Sequence, residues 1–302
     1  MILIIKNASV KRQGSDLLIS WKNSSTLVSS LDLELVIIVG SNVELSSDVI
    51  NFLAYINVPV LIHSKKTDSV LVTPFINTVS MVRKKYYMLD EGSRILLAKR
   101  FIEGKIKGML NVARYFAHID GVSVNTFDFT IETKDSRSLI QEEAELSRKA
   151  WEILKNFMPQ GFIGRKPRND DPINRAIDYT YSIIYALCNH AIIASGLDPY
   201  AGLLHIDQPG RPSLVYDFSE MFKPVAIHTV MAVSRRGRLG LDKEGYLKGE
   251  DTQKLTRHIY QLLHSKAKGR RSVRGEIYGK ANEVKNYLLK SVDFKPFVYR
   301  PD

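Results

Sequence analysis

The chain has 302 residues, 44% of them hydrophobic, which is enough for one large or two modest cores. Its single cysteine, Cys188, excludes an intrachain disulfide and a multi-cysteine zinc cluster; lying in an apolar run, it reads as a buried free thiol suited to a reducing cytoplasm. Forty-three Lys and Arg against thirty-two Asp and Glu give a net charge of +11, and this excess is unevenly placed. Residues 1–75 carry six side chains of each sign, so the whole surplus falls on 76–302; residues 252–290 alone hold ten basic residues against Glu276 and Glu283. Such a field attracts polyanions, because each neutralised phosphate releases counterions, so nucleic acid is the partner to expect.

Taken in chain order, MILIIKN, DLLISWK, ELVIIVG and VPVLIHSK are short runs rich in Ile, Val and Leu, and predict strands. The first apolar stretch is too short, and lacks the basic lead, for a signal peptide; no window of ~18 apolar residues supports a membrane span. Between the strands Val49, Ile50, Leu53 and Ile56 recur at helical spacing behind Ser46 or Ser47 as cap, with Pro59 forcing Val58 to an extended conformation. A small β-rich domain over 1–75 and a linker over 76–85 are expected. From about Arg83 the period becomes 3.6, and 92–117, 138–158, 172–195, 213–234, 251–265 and a segment near 276–290 predict helices. Residues 160–171 read as a loop, and the basic stretch 266–275 as mobile without a ligand. The fold class expected is α+β: a β-rich N-terminal domain followed by a larger all-α domain, 86–302, that carries the chemistry.

Two constellations could carry it. The 138–158 helix bears Glu142, Glu143, Glu145 and Glu152; at about 100° per residue, only Glu143 shares the stripe of Ser147, Ala150, Leu154 and Phe157. A carboxylate aimed along that stripe needs a cation, a hydrogen-bond network or a proton, and an internal ion pair with an Arg from another helix answers this as well as a metal does. The second is LLHIDQPGRPSLVYDFSEMFKP, residues 203–224. His205 precedes a Pro-Gly turn, and Asp217 and Glu220, three apart, share a helix face. One imidazole with such carboxylates suits an open site for Mg²⁺ or Mn²⁺; a hydrogen-bonded structural histidine is the alternative. There is no phosphate loop, dinucleotide fingerprint, HExxH or GxSxG. His190, Trp21 and Trp151 read as core residues.

Residues 189–224, NHAIIASGLDPYAGLLHIDQPGRPSLVYDFSEMFKP, closely resemble the signature of CRISPR-associated protein one, the integrase family of spacer acquisition. The GLDP-Y-x-G-x-LH run, the GR-x-SL turn and the D-x-x-E-x-F-[RK]-P helix occur in the family's order. DPINRAIDYTYSIIYALC, EAELSRKAW and LAKRFIEGKIKGMLNVAR are similar to further family helices, so the resemblance spans nearly the whole chain. It implies a metal, Mg²⁺ or Mn²⁺, on Glu143, His205 and Glu220, with Asp217 as a near neighbour in the catalytic set. It implies phosphoryl transfer from a DNA 3′ hydroxyl or from water, on double-stranded DNA with branched or 3′-overhang ends. It also implies a homodimer formed through the β domain and a complex with CRISPR-associated protein two. Ala144, Ala150 and the IDYTY at 177–181 depart from the family pattern. Lys105, Arg165, Arg168, Arg211 and Lys223 are candidate phosphate contacts. A non-catalytic DNA-binding scaffold and a transposase-like integrase of a mobile element are the competing readings.

Overall fold

In a computed structural model, the chain divides into two compact units, Met1–Asn77 and Thr78–Asp302. The structure describes residues 2–33, 35–39, 42–56, 58, 60–63, 70–72, 79–133, 135–167, 169–204, 208–265 and 271–301. The first unit is a β-sheet region and the second is mostly helical, the α+β class that the two periodicities imply.

Among the described residues, the first unit holds two four-stranded sheets. One has β1 (Ile2–Ile5), β5 (Leu35–Val39) and β7 (Val60–His63) in parallel, with β8 (Val70–Val72) antiparallel at the edge. The other runs β4 (Ser24–Ser29), β3 (Asp16–Trp21), β2 (Ser9–Gln13), β6 (Glu44–Leu45). Ser46 caps α1 (Ser47–Tyr55) by accepting a hydrogen bond from the Val49 N–H at 3.3 Å. Val49 and Leu53 are buried with Leu17, Ile19 and Val36 in this unit's core. The four apolar runs are β1, β3, β5 and β7. Two further strands, β2 and β4, lack such runs: Ser9–Gln13 shows Lys11 and Arg12 to solvent, and half of Ser24–Ser29 is serine. Trp21, expected in the core, is 39% exposed at the end of β3.

The second unit is built around α3 (Glu91–Ile119), which starts at the Asp90 cap and is about 43 Å long at 1.5 Å per residue. Ile95, Phe101, Ile106, Met109 and Phe116 are all buried, on several faces of the helix, so α3 lies inside the bundle. The other helices of this unit are α2 (Val79–Tyr87), α4 (Ser136–Lys155), α5 (Pro172–Ala194), α6 (Ser213–Ser219), α7 (Lys223–Arg236), α8 (Gly249–His264) and α9 (Val273–Lys290). Helix α2 occupies most of the stretch read as a linker. Val82 and Tyr86 form a narrow apolar stripe that the neighbouring Arg83, Lys84 and Lys85 obscure in sequence, yet both are fully buried. Segment 213–234 is likewise not one helix: a 3-10 turn, Glu220–Phe222, separates α6 from α7. Pro224 has no N–H to continue the α-helical ladder and instead starts α7. His190 is exposed rather than packed, with Nδ1 2.7 Å from the Tyr278 hydroxyl. Cys188 is a buried free thiol. Residues 266–270 of the basic stretch lie outside the described residues, and α9 takes up the chain from Val273. No helix among the described residues is long and apolar enough to cross a membrane.

The C-terminal segment closes over α3. Gly104 and Gly108 face it: a Cβ at Gly104 would press on the Phe297 carbonyl oxygen and lie 2.9 Å from Met221 Cγ. Asn111 donates to the Tyr299 carbonyl at 2.9 Å, and the Tyr299 hydroxyl meets His228 Nδ1 at 2.7 Å. Gly104→Ala is therefore expected to lower the unfolding free energy by about 1–3 kcal/mol, the usual cost of overpacking, as read from chemical denaturation of the full chain. Burial, with the neighbouring His258 adding a smaller push, lowers the His228 pKa to about 3. The unfolded chain takes up this proton near the ordinary value while the folded one does not, so the contribution to stability is complete above about pH 6.5 and is lost as pH falls from there towards 3. In His228→Gln the decline in melting temperature over that window should be shallower than in the wild type.

Candidate metal centre and its groove

Helix α4 begins at Asp135, whose side chain accepts from the Ser138 N–H at 2.9 Å. Leu139, Ala150 and Leu154 are fully buried, which turns Glu143 inward while Glu145 pairs with Lys149 at 2.8 Å on the solvent side. Glu143 Oε1 accepts from Ser147 Oγ at 2.7 Å and lies 2.5 Å from Lys105 Nζ. The internal ion pair considered for Glu143 thus exists, with a lysine of α3 in place of an arginine.

The same ammonium reaches the second carboxylate. Lys105 Nζ is 2.8 Å from Glu220 Oε2, and Lys223 Nζ is 2.5 Å from Glu220 Oε1. Glu220 Oε2 is buried, and the cation it faces is the Lys105 ammonium. Lys105 is only 7% exposed and Glu220 5%. Burial alone would raise the Glu220 pKa; the attraction of Lys105 and then Lys223 outweighs it and brings the value down to about 2. Burial would likewise deprotonate Lys105, but Glu220 and Glu143 hold its pKa above the ordinary lysine value. Lys105, read from the sequence as a candidate phosphate contact, is here a buried bridge between two acids.

Asp217 does a different job. It is 2% exposed, and its Oδ2 accepts from the backbone N–H groups of Leu203 at 2.6 Å and Leu204 at 2.9 Å. Asp217 and Glu220 are three positions apart, but the change from α-helix to 3-10 turn between them sends one carboxylate to the 203–204 backbone and the other to α3. His205, Ile206 and Asp207 lie outside the described residues, as does Arg168. Among the described residues no three His, Cys, Asp or Glu side chains gather into a metal-binding cluster. Glu143 and Glu220 come together, and Asp217 holds the backbone next to His205.

Beside these acids lies a groove of about 860 Å³. Arg165 lines it, donating to Asn174 Oδ1 at 2.9 Å and pairing with Asp178, with its guanidinium 5.5 Å from the Tyr181 ring centre. Arg211 lies over Tyr216 at 5.4 Å, and Lys223 over Tyr181 at 5.3 Å and Tyr185 at 5.8 Å. Burial pushes the Tyr181 phenol up to about 12 and the Tyr185 phenol higher still, so both remain neutral donors near pH 7. Trp151, expected in the core, lines this groove, with its ring centre 6.1 Å from that of Phe162. The aromatic lining escaped sequence reading; the signal was Tyr181 and Tyr185 four apart on one face of a helix.

The chemistry of the centre fits a hard divalent cation: two carboxylates from separate elements, Glu220 buried and Glu143 mostly so, already converge on one cationic group. The family model described as CRISPR associated protein Cas1 matches residues 2–261. A relative, the CRISPR-associated endonuclease Cas1 of Hyperthermus butylicus, is 27% identical over 300 residues, which cover 90% of this chain and 89% of that protein. Among solved structures, a Cas1 protein from Thermotoga maritima is similar with a TM-score of 0.66 at 16% identity, covering 96% of each chain. A casposase bound to its integration product is similar with a TM-score of 0.70 at 22% identity, covering 100% of this chain and 99% of that one. At those identities the two structures speak for the fold alone.

Replacing Asp217 by Ala leaves the Leu203 and Leu204 N–H groups without this acceptor. At roughly 1–3 kcal/mol for each buried donor so orphaned, Asp217→Ala should lose about 2–6 kcal/mol in denaturant unfolding, and Asp217→Asn clearly less. Equal stability of Asp217→Ala and wild type would contradict the clamp.

Proposed function

The chain belongs to the Cas1 family, the CRISPR-associated endonucleases and integrases of spacer acquisition, and we propose that its chemistry runs on a divalent ion held by Glu143, His205 and Glu220. The observation that carries this reading is the convergence of Glu143 and Glu220, from separate elements of the helical unit, on one buried cation position. His205 joins them through the LH run of the signature, and Asp217 is the positioning residue that fixes the backbone leading to it. Mg²⁺ or Mn²⁺ suits the oxygen-rich donor set, and when bound would polarise a phosphate oxygen and stabilise the leaving 3′ oxygen.

The chain's own residues do the rest. Lys223 keeps Glu220 ionised and offers its ammonium to the groove; Arg165 and Arg211, stacked over Tyr181 and Tyr216, are poised to hold DNA phosphates. The neutral Tyr181 and Tyr185 hydroxyls can donate hydrogen bonds there without adding charge. No protein nucleophile is needed, because the attacking oxygen belongs to a DNA 3′ end or to water. Arg168 remains a phosphate candidate on sequence grounds. The substrate proposed is double-stranded DNA with branched or 3′-overhang ends. The first unit, whose charges balance, is proposed as the homodimer contact, with CRISPR-associated protein two as the partner in a larger complex and the cytoplasm as the compartment.

The casposase likeness keeps a mobile-element integrase in view on fold alone, but the match of the family model over residues 2–261 favours spacer acquisition. Glu143→Gln, Glu220→Gln and His205→Ala are each expected to reduce Mn²⁺-dependent nicking and strand joining to background while salt-sensitive duplex binding survives. This is measured with a labelled branched substrate and filter binding on the same preparations. Full activity in all three would show that the metal lies elsewhere; binding without any divalent-dependent cleavage by the wild type would favour the scaffold reading.

A further inference from the structure

We infer that the Lys105 ammonium is a built-in occupant of the cation position, and that loading of a divalent ion displaces it from Glu143 and Glu220 into the groove. The inference rests on the proposal that these two acids are metal ligands, and adds what the protein does with their charge before a metal arrives.

Lys105 Nζ lies 2.5 Å from Glu143 Oε1 and 2.8 Å from Glu220 Oε2. A divalent ion bonded to the same two oxygens at about 2.0–2.6 Å would fill the space that Nζ fills, so the two occupants exclude one another. Charge balance leads to the same exclusion. Glu143, Glu220, Lys105 and Lys223 form a nearly buried quartet with two charges of each sign. A divalent ion added with both ammonium groups in place would leave a doubly positive, poorly solvated cluster, which is costly to bury.

Lys105 rather than Lys223 is the one to leave. Lys223 is three residues from Glu220 and pairs with Oε1, the other oxygen of that carboxylate. Lys105 reaches in from α3, whose backbone is held by the C-terminal segment at Gly104, so only its flexible four-carbon stem has to turn. There is space for it: Lys105 also lines the 860 Å³ groove, together with Trp151, Tyr185 and Lys223. A displaced ammonium in that groove would add a cation where a DNA phosphate is expected, so metal loading and phosphate binding would support each other.

Mn²⁺ titration by calorimetry on the full chain tests this. Folded Lys105→Met should bind Mn²⁺ about tenfold more tightly than wild type or better, because the competing ammonium is gone. Its metal-free melting temperature should be lower, with a larger gain on adding Mn²⁺. Equal or weaker Mn²⁺ binding overturns the inference. Should that variant not fold, amine acetylation of the wild type gives the second reading. Lys105, located by peptide mass spectrometry, should resist acetylation in metal-free protein and become severalfold more reactive with Mn²⁺. If Mn²⁺ binds wild type and is lost in Glu220→Gln, but Lys105 stays equally protected, displacement is wrong and the metal site stands. If wild type binds no Mn²⁺, both fall.

Discussion

Two carboxylates brought side by side inside a helical bundle need a cation between them, and in this protein a single lysine supplies it. Lys105 lies between Glu143 and Glu220, and without it two nearly buried negative charges would face each other. Removing one partner of a buried pair typically costs about 3–5 kcal/mol, so the elements carrying these residues are tied together electrostatically as well as by packing. Much of the surrounding architecture holds this contact in place. Helix α3 is long and apolar on several faces, which is why a lysine in its middle is buried at all. The C-terminal segment fits against Gly104 on the residue just before it. Ser147 steadies Glu143 from one turn along α4, and Lys223 takes the other oxygen of Glu220.

The break between α6 and α7 gives this centre its division of labour. A continuous α-helix would keep Asp217 and Glu220 as neighbours on one face. With Pro224 starting a new helix and a 3-10 turn before it, Asp217 binds the backbone of Leu203 and Leu204 while Glu220 reaches α3. The groove alongside is built on a different principle. Arg165, Arg211 and Lys223 are laid over tyrosine rings, and burial pushes the Tyr181 and Tyr185 phenols further above their ordinary range. Cations so held keep their charge available to a polyanion while losing little freedom on binding it.

The sequence made legible what depends on periodicity. Glu143 stood out from four acids because a helix repeats every 3.6 residues, and the same stripe of Ala150, Leu154 and Phe157 is buried in the fold. The parallel strands β1, β5 and β7 were legible as unbroken apolar runs, whereas β2 and β4 were not, being mostly polar with few side chains in the core. Helix α2 was hidden by its own cations. The role of Lys105 was missed although the same periodicity marks it: Phe101, Ile102, Met109 and Val112 flank it at helical spacing, whereas Lys99 and Lys107 each lie four residues from Glu103. Asp217 was opaque, since its partners are backbone groups more than a dozen residues away. His205 and Glu220 were marked by the family signature rather than by spacing.

The claim at the centre of this account is that Glu143, His205 and Glu220 share one divalent ion. An anomalous-scattering map from a Mn²⁺-soaked crystal of the intact chain tests it most directly. The account predicts a single peak bonded to these three side chains, with Asp217 still on the 203–204 backbone. A peak elsewhere in the helical unit, or none between Glu143 and Glu220 in a crystal that takes up Mn²⁺, would contradict it.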